Sequence, residues 1–421
     1  MVDIVEHADA FIDAVAQNVA GARTTDSIAR ELADALAKTL EQQTSSAASQ
    51  ALPGGEGIKE LVASLNFILF ARATTLQGDL YTVEANKLMA QLEAHMQQHG
   101  AAVKATRPDV VDYRKTDPQT FYDEYVVKSR IALIKNFDCV AWKEWSVDWF
   151  VKRFGDEKFP LLKLGDSPDL FVLPDFTEEV PLRLLLEERD KYYFANSQVL
   201  FDRHPDLHEE LNLPEIARFM KPTGDRVPLK QESQQFFIST GPRAATGVHN
   251  GHNCNFFFNV QGVKKWTLVH PEFSFMMCAW LRPFDGICAF HLMNDFAQSW
   301  IPTLKNVPYY KVILRPGDVL YNPYYWWHSV ESLSTENVGI STRWLGTPGQ
   351  SFQDPFPVAS LATKCNRVSR QAYADAERDR DAGIKTNWFD RISHGRSIEF
   401  GFKNGMEPWG LKWGRPPARE V

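Results

Sequence analysis

From Arg130 to Leu345 the chain is cut into short β-prone runs, and this segmentation limits the fold more than any other feature. The runs are Arg130–Lys135, Leu170–Leu173, Tyr192–Ala195, Gln235–Thr240, Asn255–Gln261, Lys264–His270, Tyr309–Leu314, Asp318–Tyr321, His328–Leu333 and Val338–Leu345. Turn-forming residues separate several of them, at Gln261-Gly262, Pro316-Gly317-Asp318 and Asn322-Pro323. Many short strands joined by tight turns predict a sandwich or barrel, mainly β, with helical decoration at Lys143–Phe154 and Leu207–Met220.

The flanks differ from this middle. Residues 1–110 read as an all-α accessory region. Ile4, Ala8, Phe11, Ile12, Val15 and Val19 recur at helical spacing. Further helices are predicted at Thr25–Glu41, with Thr25 or Asp26 as cap, at Lys59–Thr75 and at Val83–His99. Pro53-Gly54-Gly55 breaks the pattern inside a small-residue loop. This region is a candidate homodimerisation element or substrate lid. Residues 111–350 form the predicted β domain, and residues 351–421 a helical and irregular extension with a helix at Arg370–Ala382.

Composition excludes some functions. The net charge is −7 with no extended basic run, which argues against a nucleic-acid partner. The five cysteines are odd in number and form no CxxC, so they are expected as reduced thiols. No apolar run is long enough to span a membrane, and the N-terminal stretch is acidic, without the basic start of a secretory signal. The expected location is the cytoplasm. Aromatic residues crowd between 256 and 345, as an aromatic-lined pocket or a large β core requires.

Two of the histidines have a context of their own. His249 stands in TGVHNGHNCNFFFNVQGVKKWTLVHP and is expected just ahead of a strand, while His328 follows a turn, a short strand and a Pro-containing loop in RPGDVLYNPYYWWHSVESL. Imidazole suits Fe(II), and two histidines with one carboxylate make a facial triad. On the strand from Asn255, alternation puts Asn255, Phe257, Asn259 and Gln261 on one face and Phe256, Phe258 and Val260 on the other. The first face can line a pocket, with Asn259 as a substrate contact. Lys264 shares a face with Trp266 and Leu268, and an ammonium among apolar walls needs an anionic partner. Arg343, on the last strand beside Trp344, offers a bidentate grip on an acidic group. Both are candidate substrate-binding residues.

Residues from about Pro118 to Thr347 resemble the JmjC/cupin-like family of Fe(II)- and 2-oxoglutarate-dependent oxygenases. They are most similar to the branch containing the asparaginyl hydroxylase of hypoxia-inducible factor. The two histidine-bearing stretches quoted above carry the resemblance, with a weaker match at SRIALIKN. It implies a double-stranded β-helix (jelly-roll) core, His249 and His328 as iron ligands, and Lys264 as partner of the distal carboxylate of 2-oxoglutarate. It also implies cosubstrate contacts from Thr246, Asn255 and Tyr193, with O2 as co-reactant.

The family pattern departs at Gly251, where an aspartate or glutamate is expected. Four readings follow. A halide such as chloride takes the position, as in Fe(II)/2-oxoglutarate halogenases with His-x-Gly or His-x-Ala, and the reaction is radical chlorination of an aliphatic carbon; this reading leads. Water takes it, and the enzyme hydroxylates, as a two-His β-hydroxylase family does. His252 supplies a third imidazole, although period-two geometry opposes it. Last, the barrel binds a ligand without chemistry. The substrate expected is a small molecule, such as an amino acid or an acidic metabolite, with a protein side chain as the alternative.

Overall fold

A computed structural model of the protein describes residues 105–164, 177–221, 230–242, 244–251, 253–273, 289–290 and 307–345, with isolated helical positions from Ala90 to Gln98 inside the expected Val83–His99 helix. The other N-terminal helices, Leu170–Leu173, His252 and the 351–421 extension lie outside the described residues.

The strands are β1 (Asp109–Asp112), β2 (Ala132–Lys135), β3 (Lys158–Lys163), β4 (Thr177–Pro181), β5 (Tyr192–Ser197), β6 (Lys230–Ser239), β7 (Thr246–His249), β8 (Cys254–Gln261), β9 (Lys264–Val269), β10 (Ala289–Phe290), β11 (Tyr310–Leu314), β12 (Asp318–Asn322), β13 (Trp327–Ser332) and β14 (Asn337–Leu345). They form a nine-stranded sheet, β1-β2-β12-β8-β14-β6-β5-β3-β4, and a five-stranded sheet, β10-β7-β13-β9-β11. Strands β7 to β9 and β11 to β14 pass alternately from one sheet to the other. That weaving is a jelly roll, the mainly-β core that the sequence predicts.

Alternation along each strand builds two cores. Phe256, Phe258 and Val260 of β8 join the larger one, with Phe121, Phe150, Phe236 and Tyr321. Phe257 points the other way, into a smaller cluster with Trp266, Leu268, Leu314, Leu320 and Trp326, drawn from both sheets. Each fully buried aromatic there contributes roughly 2–3 kcal/mol. The smaller cluster fills the space between the sheets and forms the apolar wall beside Lys264 and His328.

The two expected helices are broken, each for a local reason. Ala141–Glu144 ends before Trp145, and Ser146 starts a new helix, Val147–Phe154, by accepting from the Trp149 N–H at 3.1 Å. This helix lays Phe150 edge-on against Phe236 at 5.3 Å. In Leu207–Met220, Asn212 takes a left-handed backbone (φ 57°) just ahead of Pro214, which splits the run into Leu207–Glu210, Leu213–Ile216 and a tight 3-10 turn.

One glycine is fixed by its surroundings. Gly262, in the β8–β9 turn, has φ +83°, and a Cβ there would lie 2.3 Å from the Glu336 carbonyl oxygen. Gly262→Ala is therefore expected to lose at least about 2 kcal/mol of stability in urea unfolding. An unchanged midpoint would show that this turn relaxes freely.

Candidate metal centre

The two histidines meet across the small sheet. His249 ends β7 as part of a strand of its own, rather than preceding one as expected. It pairs directly with His328 of antiparallel β13. Their ring centroids are 4.2 Å apart. Thr246 pairs with Val330, so β7 carries one more residue between the two pairs than β13 does, a β-bulge. β10 extends the sheet beyond β7, with Ala289 opposite His249. The rest of the stretch 271–308 between β9 and β11 lies outside the described residues apart from its first few positions, this short strand and Val307–Pro308.

His328 is fixed by its neighbours. Its Nδ1 lies 2.9 Å from the Trp326 carbonyl oxygen, which can only accept, so Nδ1 carries the proton and Nε2 keeps its lone pair. The Asn322 amide nitrogen is placed 3.2 Å from the same Nδ1, and with the proton there the amide turns over to offer its oxygen, which has no other partner among the described residues. Trp266 stacks on the ring at 5.3 Å and 17°. Burial, then the neighbouring His249, holds the His328 pKa well below the usual histidine range, so the ring is neutral as a metal ligand must be. Among the described residues no third His, Cys, Asp or Glu joins the pair. Cys254, at the start of β8, turns into the larger core, where burial pushes its thiol up to about 12 and keeps it protonated.

Gly251 follows in the loop after β7. Its carbonyl accepts from the Tyr325 N–H at 2.8 Å, and the Asn250 amide donates to the Tyr325 carbonyl at 3.3 Å. These bonds staple the loop bearing position 251 to the turn that leads into His328. Gly251 does not adopt a left-handed backbone, and among the described residues beyond its chain neighbours a Cβ there would meet the Asn253 amide, with Oδ1 at 3.2 Å and Cγ at 4.0 Å.

Lys264 opens β9, four residues from Leu268, the partner of His328. It is 1 % exposed, and its ammonium meets the Ser332 hydroxyl at 3.3 Å. Burial pulls its pKa down to about 8, with no charge among the described residues opposing the shift. The donor set therefore fits an anionic ligand: a buried cation faces a hydroxyl, and the two imidazoles stand beyond it on the same wall. A pH dependence follows. The ordinary lysine value is 10.5, so between about 8 and 10.5 the unfolded chain holds a proton the folded one has shed. Stability of the ligand-free protein should rise with pH through that window, by roughly 3 kcal/mol in all. Denaturant titrations of the parent and Lys264→Met at several pH values would isolate this rise, and equal slopes would refute it.

The remaining predicted residues divide. Tyr193 of β5 is buried on the inner side beside Phe237 and bonds the Thr246 side chain, and its pKa is raised by burial, so it is a neutral phenol. Asn255 lies opposite Asn322 and accepts from the Ser341 hydroxyl at 2.8 Å. Arg343, opposite Asn255, donates to the Asn196 amide oxygen at 3.0 Å, and its charge helps hold down the His328 pKa. Two expected substrate contacts are placed elsewhere. Asn259 is four residues beyond Asn255, about 13 Å along the strand, and its amide donates to the Gly262 carbonyl at 2.8 Å, bracing the turn. Trp344 alternates away from Arg343 and packs in the larger core. Sequence reading missed Asn322, Trp266 and Asn253: the first was read only as a turn residue, the second only as a wall.

Comparison with known proteins agrees with this architecture. The chain is 34% identical over 160 residues to human HSPB1-associated protein 1, covering 36% of this chain and 30% of that protein. It is 22% identical over 239 residues to lysine-specific demethylase 8 of Xenopus tropicalis, covering 53% of this chain and 50% of the other. It is 26% identical over 283 residues to tRNA wybutosine-synthesizing protein 5 of Danio rerio, covering 60% and 82%. The chain thus spans about a third or less of the HSPB1-associated proteins that it matches. A model of the cupin-like domain matches residues 118–346, the span that holds both sheets apart from β1, and the imidazole pair, and by that match over more than half its length the chain belongs to the cupin-like domain family.

Proposed function

We propose that this protein is an Fe(II)- and 2-oxoglutarate-dependent enzyme that oxidises an aliphatic C–H bond. JmjC-type cupins normally use these cofactors with O2. The observation that carries the reading is the joint placement of His249, His328 and Lys264 on adjacent strands of one sheet, with Lys264 buried and its charge unmatched by an opposite one among the described residues. His249 and His328 would hold the metal, and 2-oxoglutarate with iron would supply the oxidising power for C–H cleavage. Lys264 binds the distal carboxylate of the cosubstrate. Tyr193 and Thr246 orient it from β5 and β7, and Asn255 does so from β8. Trp266, Phe257 and Leu320 exclude water from that end of the chamber. Arg343 lies on the substrate side and suits an acidic substrate.

The reaction proposed is hydroxylation: substrate C–H, O2 and 2-oxoglutarate give C–OH, succinate and CO2. A second reading has its own support. It starts from the lack of a carboxylate at Gly251: chloride would take that position, and then C–H, chloride, a proton, O2 and 2-oxoglutarate would give C–Cl, succinate, CO2 and water. The full chain, loaded anaerobically with Fe(II) and 2-oxoglutarate and then exposed to O2 with a metabolite pool, should release succinate. Mass spectrometry then separates an added oxygen from a chlorine isotope pair. Succinate release that is the same in His328→Ala would sink both readings.

A further inference from the structure

Asn322 closes β12 in the large sheet, and His328 stands in β13 of the small one. The turn between them brings the Asn322 amide back against the imidazole, 3.2 Å from Nδ1. That turn is tied down. Tyr325 holds a left-handed backbone (φ 61°), its N–H donates to the Gly251 carbonyl at 2.8 Å, and its carbonyl accepts from the Asn250 amide at 3.3 Å. Asn322 is 2 % exposed, and the far end of its amide has no partner among the described residues. Leu320, two residues back on the same face, belongs to the apolar wall beside His328. An amide in such a place carries a desolvation cost of about 1–3 kcal/mol that a leucine would not. Packing does not account for it; the contact with the ring does.

We infer that Asn322 is a positioning residue for the metal centre: it shares the Nδ1 proton of His328 with the Trp326 carbonyl and so fixes the plane of the ring from the opposite sheet. The inference rests on the metal reading above and deepens it. The Trp326 carbonyl lies two residues before His328 and moves with the same stretch of chain. Asn322 instead ties the imidazole to the large sheet, where it stands opposite Asn255 of β8. In a facial triad three protein ligands hold one another in place through the ion. Here no third His, Cys, Asp or Glu among the described residues joins the two imidazoles. The direction of each ring must then be set by hydrogen bonds before the ion arrives.

The test titrates the full chain with Co(II), whose visible spectrum reports its ligands. Asn322→Leu removes the acceptor at similar volume, and Asn322→Asp keeps an oxygen in its place. The Co(II) dissociation constant is expected to rise about tenfold in Asn322→Leu, the lower end of what losing such a partner costs, because the Trp326 carbonyl remains. Its melting temperature should equal or exceed that of the parent, since an apolar group replaces a buried amide. A merely structural asparagine would lower the melting temperature and leave the affinity alone. Asn322→Asp should bind Co(II) as tightly as the parent or more so. Parent-like affinity in Asn322→Leu, or an aspartate variant as weak as the leucine one, would overturn the inference. A second measurement needs no variant at position 322. NMR of the metal-free parent, with its histidines labelled with heavy nitrogen and His328 assigned by the signal lost in His328→Ala, should find the proton on Nδ1. A proton on Nε2 would overturn the inference even if the leucine variant did not fold. Unchanged Co(II) affinity in His328→Ala would overturn the metal reading instead, and the metal-free spectrum would still decide whether Asn322 can hold the ring.

Discussion

Lys264→Met weakens 2-oxoglutarate binding about a hundredfold and makes the ligand-free protein harder to unfold. The two effects have one cause. Lys264 is 1 % exposed, with burial alone shifting its pKa down to about 8. In the ligand-free protein the ammonium carries a desolvation penalty against one hydroxyl, that of Ser332. Methionine fills similar volume without that penalty, so removal stabilises, as replacing buried ions with apolar groups often does by about 1–4 kcal/mol. In the complex the sign reverses. Truncating one member of a desolvated charge pair costs about 2–5 kcal/mol, of which 3 corresponds to about a hundredfold in dissociation constant. Anaerobic titration of the metal-loaded protein and thermal melting of the ligand-free one read the two effects separately. An unchanged dissociation constant would remove Lys264 from the cosubstrate site.

His328→Ala should abolish stable metal binding and leave the fold standing. Loss of a hydrogen-bond partner to a metal ligand lowers affinity by about 10–100-fold. Loss of the ligand itself should exceed the upper end of that range, because no third His, Cys, Asp or Glu among the described residues can share the load. The fold persists because β13 is paired on both sides, to β7 and to β9, through its backbone. The cavity left beside Trp266 should cost about 2–4 kcal/mol. Calorimetric titration with Fe(II) under anaerobic conditions, beside a melting curve, measures both. Parent-like affinity in this variant would mean that the metal is held elsewhere.

Much of the β domain was legible because a period-two pattern records which face is buried. The division of β8 into Phe256 and Phe258 on one side and Asn255 and Phe257 on the other follows from alternation alone, and the two cores bear it out. The strand pairing was not legible, since β12 beside β8 and β13 beside β7 join segments far apart in the chain. Short polar strands such as β1 and β4 carry no apolar alternation and were missed. Helix breaks at Ser146 and Asn212 depend on a cap and on one left-handed residue inside otherwise periodic runs. At the site, the histidines and Lys264 stood out because their residue types are ill-suited to bare strands. Asn259 and Trp344 looked equally plausible, and only the register and the neighbouring turn show that they serve other ends.

The extra residue in β7 has a consequence for how this site can change. Thr246 and His249 are an odd number of positions apart, and an unbroken strand would turn them in opposite directions. The slip against β13 cancels that, so a hydroxyl that bonds Tyr193 and an imidazole that meets His328 look into the same chamber. Side chains can therefore be exchanged on this frame, at position 251 for instance, without disturbing it. Straightening this tetrapeptide into an unbulged strand at its present length is a different kind of change: the cosubstrate contact or the metal ligand could still face inward, but not both.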